Sequence, residues 1–478
     1  MYILYDTYMT TSFFDVSFSA PVAPHSPAVN PPELLAFFVR LLPRKQLWKL
    51  LVTSEKRFYS RLFTPIVTLW YLIFQRLGFD STLQAVVTDA RTGGADSLSK
   101  HLSKRLRSNA TTSFSDARQR LPLSFLSETL TVQATQIVNL TAQSLWRGLQ
   151  VSLLDGSTIR LRPYGDIPEH FPPHGNQHKS PPYWCLMRVV VGFCAFTGAA
   201  LRCRFGSLKV SEQTLACELI LEQAFGSWLY IGDRNFGVYR IVQTVHSVGS
   251  HALVRLTEQR ARKLLGRSLC TGQHPVRWSP TRHDQLQPGC SQEPVAGQVV
   301  VVRVRRNGFR PFLLYLFSTL PISDTYPVEA LARLYGVRWH IELNLRYLKD
   351  QMKLAQLECK SADMAQKEWL AGLLAYNLVR AAMLCATLTG SLSPLDLSFS
   401  ASRRICKQWL ALAGQGRQDS LQLWRTTLEL ILQSPLPRRR KPRPSEPRRR
   451  RRPPQPFPLL IGSRQNARDK LKLSLLKY

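Results

Sequence analysis

Acidic residues are scarce in this 478-residue chain: 31 Asp and Glu stand against 64 Lys and Arg, a formal net charge of +33. A compact chain so charged repels itself unless a polyanion neutralises it. Nucleic acid is the first candidate; an anionic membrane surface and an enzyme with a merely basic exterior compete with it. Long hydrophobic runs are also lacking. The longest uncharged apolar stretch near the N-terminus, Phe63 to Phe74, is about twelve residues and contains Pro65, short of the ~20 that a membrane helix needs. The first 32 residues lack a basic start followed by an apolar run and a small-residue cleavage site, so no secretory leader is expected. The nine cysteines are odd in number, scattered, and without a C-x-x-C pair, which argues against a disulfide scaffold and a zinc module. A reducing cytoplasm fits that usage, and no membrane partner is expected.

Apolar residues make up 44% of the chain, enough to bury a substantial core. Residues 1–32 read as a flexible extension rich in Ser, Pro and Thr, and 33–143 as an N-terminal helical domain with a basic face suited to DNA recognition. The texture changes near 144. Gln150 to Leu154 reads as a buried strand ending at the Asp155-Gly156 turn, and Trp184–Phe193 with Ala199–Leu208 as a hairpin about Phe196-Thr-Gly198. Helix, strand, helix and strand follow, over Glu212–Phe225, Trp228–Ile231, Val238–Val248 and His251–Leu256. That order implies a mixed sheet flanked by helices. Residues 144–256 are thus the first part of an α/β core, 257–310 a β-rich insertion expected to form a small lobe, and 311–400 the second part of the core, with one long helix over Pro327–Met352. A helical segment (401–434) precedes a basic tail (435–478) holding Arg438–Lys441 and Arg448–Arg452 among prolines, a composition that cannot pack a core.

Three acids stand out by position. Asp155, before Gly156, and Asp233, after Gly232, each end a strand that would lie centrally in the sheet. Small neighbours leave room for an ion or a substrate backbone, although an Asp-Gly pair is more often simply a turn. The third acid is Glu342. At ~100° per residue, Tyr335, Arg338, Glu342, Arg346 and Lys349 share one helix face, and Val337, Ile341, Leu345 and Leu348 the opposite one. Taken alone, such a helix could equally be an exposed one laced with i,i+4 ion pairs worth ~0.3–0.5 kcal/mol each. Two carboxylates at strand ends plus one from a helix form an all-oxygen donor set of the kind hard divalent cations prefer. Two Mg²⁺ ions ~3.5–4 Å apart would relieve the carboxylate repulsion and stabilise both oxygens of an in-line phosphoryl displacement.

The strand with Leu154-Asp155-Gly156, the strand with Ile231-Gly-Asp233-Arg234, and the helix spelling Y-x-x-R-x-x-x-E-x-x-x-x-x-x-K through Tyr335, Arg338, Glu342 and Lys349 together resemble the bacterial DDE transposases of the "IS four" insertion-sequence family, over roughly residues 33–400. The resemblance implies a ribonuclease-H-like mixed sheet interrupted by a β-rich insertion before the glutamate. It implies that Asp155, Asp233 and Glu342 bind two Mg²⁺ or Mn²⁺ ions, and that Tyr335, Arg338 and Lys349 contact double-stranded DNA near the transposon end. Arg346 is a further DNA-contact candidate from the same helix face. Members of that family cut DNA at terminal inverted repeats and join it to a target, acting as homodimers on paired ends. Trp278, within the insertion, is a candidate for stacking on a flipped base, although an ordinary core or surface tryptophan explains it as well. The loop His174–Lys179 is read as ordinary. A stand-alone metal-dependent nuclease and a catalytically inactive DNA-binding descendant are the rival functions.

Overall fold

The computed structural model describes residues 41–52, 62–78, 82–436 and 462–475, apart from short segments at 97, 100, 142–144, 174–182, 223–226, 267–268, 287–288, 290–291, 307–308, 389–391 and 415–419. The N-terminal region is helical: α1 (Arg44–Val52), α2 (Pro65–Leu77), α3 (Leu83–Arg91), α4 (Thr112–Arg120) and α5 (Leu123–Asn139). Helix α2 starts where proline best tolerates a helix: Pro65 lies in its first turn and the Thr64 hydroxyl accepts from Val67 N at 3.4 Å.

Next come β1 (Leu149–Leu161), β2 (Cys185–Cys194), β3 (Ala200–Ser207), α6 (Glu212–Leu221), β4 (Trp228–Gly232), α7 (Tyr239–Ser247), β5 (His251–Arg255), α8 (Glu258–Leu265), β6 (Gly272–Trp278), β7 (Val295–Arg306) and β8 (Phe309–Ser318). They build one sheet in the order β3-β2-β1-β4-β5-β8-β7-β6. Strands β1 to β3 form an antiparallel meander, while β4 and β5 run parallel to β1. With a helix between β3 and β4 and another between β4 and β5, this is the ribonuclease-H-like arrangement. Strand β2, paired on both sides, holds a run of Val189, Val190 and Val191, fully buried, as β-branched residues suit a strand covered on both faces.

Three expectations change. Strand β1 does not stop at Asp155-Gly156; its antiparallel ladder with β2 runs from Ser152↔Cys194 to Leu161↔Cys185, and those bonds override the turn preference of the pair. The stretch 257–310 forms no separate lobe: its strands β6 and β7 extend the main sheet through β8, which pairs antiparallel with β5. The Pro327–Met352 helix is broken. It divides into α9 (Val328–Gly336) and α10 (Trp339–Arg346), followed by a π-helical turn at Tyr347–Gln351. Gly336 weakens the helix there, and i→i+3 bonds such as Arg338 N to Tyr335 O (3.1 Å) take over at the break.

Helix α11 (Ala362–Thr387) runs through the centre, with Trp369, Leu373, Leu374 and Tyr376 fully buried. Among the described residues it is the one helix long and apolar enough to cross a membrane, and 94% of its apolar window lies inside the protein. Helices α2 and α5 pack on it, so Tyr71, Phe125 and Trp369 belong to one core with the adjoining sheet face. A largely shielded carboxylate ties α11 to α2 and α4: Glu368 of α11 pairs with Arg76 of α2 and, at 2.6 Å, with Arg118 of α4. Helices α12 (Phe399–Gly414) and α13 (Ser420–Leu432) follow. Helix α14 (Arg464–Leu475) belongs to a second unit.

Candidate active site

The parallel pairing of β1 with β4 ends at Leu153↔Ile231. Continuing that register by two residues sets Asp155 level with Asp233, at the place where the strands part. Each carboxylate is fixed by a nearby amide: Asp155 Oδ1 accepts from Gly156 N at 2.8 Å, and Asp233 Oδ1 from Asn235 N at 2.8 Å. The Asp155 carboxyl is pushed up to about 7, chiefly by burial. The charges of Asp233 and Glu212 add to the rise, while the Gly156 amide and the Arg338 guanidinium oppose it. Asp233 therefore lies near enough to Asp155 for its charge to oppose ionisation of the more buried acid.

Arg338, buried at the break between α9 and α10, connects the third acid to this pair. Its Nη2 donates to Glu342 Oε1 at 2.8 Å, and its charge acts on both Asp155 and Tyr335. Tyr335 is buried, which pushes its hydroxyl up to about 12; the Arg338 and Arg255 charges pull it down and the Asp233 charge pushes it further up. Lys349, on the π-helical turn, is held below its ordinary value by burial and by Arg160, although the Asp350 and Asp155 charges work the other way. The structure thus brings Asp155, Asp233, Tyr335, Arg338, Glu342 and Lys349 into one electrostatic neighbourhood. Arg346 is exposed and joins no ion pair among the described residues. Trp278 lies elsewhere: it is 5% exposed, edge-on to Phe317 at 4.8 Å and to Tyr239 at 6.5 Å. It fills the core beside β8 and has no face free for a base, which corrects its candidacy. The loop His174–Lys179 lies outside the described residues.

Two supports were not visible as motifs. Arg380 of α11, 2% exposed, donates from Nη2 to Asn344 Oδ1 at 2.6 Å and from Nε to the Tyr376 hydroxyl at 2.8 Å. Its guanidinium lies 5.5 Å from the Tyr347 ring and 5.3 Å from the Tyr376 and Phe399 rings. This anchors the Glu342 helix to the central helix, and the same charge, after burial, pushes His340 down to about 4. The second is Glu212, in the first turn of α6, whose Oε2 accepts from Asn235 Nδ2 at 2.7 Å.

The donors are oxygens only, and an aspartate whose ionisation is opposed by burial and by the neighbouring Asp233 charge fits a hard divalent cation. Among the described residues no three His, Cys, Asp or Glu side chains already gather into a cage; the Glu342 carboxylate is bonded to Arg338 instead.

Residues 146–378 match the family model described as a transposase DDE domain. The chain is 28% identical over 298 residues to the transposase InsG for insertion sequence element IS4 of Escherichia coli (strain K12), covering 60% of this chain and spanning 64% of that relative's length. Among solved structures, a cryo-EM structure of the piggyBac transposase synaptic complex with hairpin DNA aligns over 85% of this chain and 86% of its own, at 12% identity and a TM-score of 0.40.

Proposed function

We propose that this chain, whose residues 146–378 match the transposase DDE domain model and which is similar to the IS4 transposase InsG, is a transposase of that kind: it cuts DNA at the terminal inverted repeats of its element and joins the freed ends to a target. One observation carries the reading. Asp155 and Asp233 stand level where β1 and β4 part, and Arg338 couples Glu342 to them.

DDE transposases use divalent metal ions, and here Asp155, Asp233 and Glu342 would hold them; two Mg²⁺ or Mn²⁺ ions are the proposed complement. When bound, they supply charge neutralisation and an activated water or 3′-hydroxyl. The protein's own contribution is positional. Gly156 N–H and Asn235 N–H hold one oxygen of each aspartate, which leaves the other oxygen of each available. Arg338 orients Glu342 and lies beside the same acids, where its guanidinium would be placed to pair with a phosphate oxygen if Glu342 held a metal. Lys349, on the π-helical turn, is proposed as a second phosphate contact, with Tyr335 bordering the same cleft and Arg346 reaching backbone farther out. Action as a homodimer on paired ends, and residence on cytoplasmic DNA, belong to the same reading.

The test is cleavage by the full chain, in Mg²⁺, of a plasmid carrying the DNA that borders its gene. Breaks at the element's ends with 3′-hydroxyl termini, followed by joined products, are expected. Cleavage without joining would favour a stand-alone nuclease. No cleavage, in Mg²⁺ or Mn²⁺, by a protein that binds the ends would favour an inactive DNA-binding descendant.

A further inference from the structure

Glu212 and Asn235 take no part in the family's helix signature, yet they bridge the two aspartate strands. Asn235 N donates to Asp233 Oδ1 at 2.8 Å, and Asn235 Nδ2 donates to Glu212 Oε2 at 2.7 Å. Gln213, the next residue of α6, donates from Nε2 to the Asn235 carbonyl at 2.8 Å. Two consecutive side chains at the start of α6 therefore clamp the loop whose backbone amide holds Asp233. On its other side, the Glu212 carboxyl lies against Gly156: a Cβ there would come 2.5 Å from Glu212 Cδ and 2.7 Å from its Oε1. An acid in a first helical turn needs no partner to be favourable. Here it also occupies the space a side chain at 156 would take, and it reaches the neighbouring strand's loop.

We propose that Glu212 is a positioning residue for the metal site, acting through Asn235 to hold Asp233 level with Asp155, and that residue 156 is glycine to leave room for it. The proposal rests on the transposase reading, in which Asp155 and Asp233 are metal donors. Glu212 itself is not assigned as a ligand; its carboxylate is the acceptor that fixes the Asn235 side chain. Residues hydrogen-bonded behind metal ligands typically change affinity ~10–100-fold when removed.

The experiment is a titration of full-length, metal-free protein with Mn²⁺, following free Mn²⁺ by electron paramagnetic resonance. Glu212→Ala and Asn235→Ala are each expected to weaken binding about tenfold. Gly156→Ala, which pushes the carboxyl aside without removing it, should produce a similar loss. Glu212→Gln keeps an oxygen that can accept from Asn235 and should stay within about threefold of wild type. Unchanged affinity in Glu212→Ala and Asn235→Ala would overturn the proposal. So would a loss in Glu212→Gln as large as in Glu212→Ala, since that would make the charge itself the donor. Thermal unfolding of the metal-free variants identifies any that has failed to fold, and Gly156→Ala then stands in for it. Asp233→Asn is the control for the underlying reading: if it keeps wild-type Mn²⁺ affinity, the transposase metal site is wrong, whereas if it abolishes binding and the Glu212 set does not matter, only this inference fails.

Discussion

Glu368 and Asp155 are both carboxylates largely shielded from water, and the fold treats them in opposite ways. Burial alone would raise the Glu368 carboxyl, but the Arg76 and Arg118 guanidiniums outweigh it and hold the group below the usual carboxylate range. Asp155 also has burial working against its charge, two further acids beside it, and only partial relief from Arg338. The chain has 64 basic residues to distribute, so the shortage at Asp155 does not reflect a lack of cations. At Glu368 charge is matched within the protein and helices α2, α4 and α11 are locked together. At Asp155 the protein's own charges do not complete the match, and a bound divalent cation is proposed to do so.

The largest effects should come from breaking that difference at the site. Asp155→Asn, Asp233→Asn and Glu342→Gln are each expected to lower DNA cleavage by about 10³-fold or more, since each removes a proposed metal donor, while end binding measured by gel shift changes little. Loss of DNA binding in step with cleavage would place these acids in the scaffold.

Stability should move the other way at the two carboxylates. Glu368→Gln strands two buried guanidiniums and should cost about 3–5 kcal/mol in denaturant unfolding. Asp155→Asn should instead stabilise the metal-free protein at pH 8, by about 2–4 kcal/mol for a shift from 3.8 to about 7. The pH windows follow from the signs. Asp155, whose value is raised, makes stability fall as pH rises from about 4 through about 7, because the folded protein then resists ionising it. Glu368, whose value is lowered, contributes fully at neutral pH and loses that contribution as pH falls below its ordinary 4.5. Asparagine at 155 should flatten the first slope, and glutamine at 368 the second.

Arg380 offers a third regime, a buried cation held by aromatic faces and by Asn344. Arg380→Met should cost about 2–3 kcal/mol and loosen the Glu342 helix, read as faster hydrogen exchange across residues 339–346. The smallest effect is expected at Lys349. Lys349→Ala should reduce the slope of log affinity against log salt for DNA by about 0.9, one phosphate contact. An unchanged slope would remove Lys349 from the interface.

Much of this organisation was legible in the sequence because it rests on local chemistry. The strand and helix order around Asp155 and Asp233 follows from alternation and apolar runs, and the face shared by Tyr335, Arg338 and Glu342 from helical spacing. What escaped is non-local. Gly336 and the i→i+3 bonds that follow it break the helix at Val337-Arg338, yet the spacing of Tyr335 and Glu342 survives the break. The Asp155-Gly156 pair looks like a turn until the β2 ladder is present to hold it extended. Trp278 looks available on a polar stretch, and only the pairing order of β6, β7 and β8 shows that it is buried against Phe317. Glu212 carries no signal of its own in the sequence, since nothing in its segment announces Asn235, 23 residues later.

The central claim is that three acids distant in the chain serve one metal centre, and localised cleavage tests it most directly. Fe²⁺ loaded onto the full chain in place of Mg²⁺, with ascorbate and peroxide, breaks backbone only within reach of the bound ion. The account predicts cuts clustered near residues 155, 233 and 342, all suppressed by excess Mg²⁺ and absent in Asp155→Asn. Cuts confined to one of these segments, or a pattern that Mg²⁺ does not suppress, would contradict it.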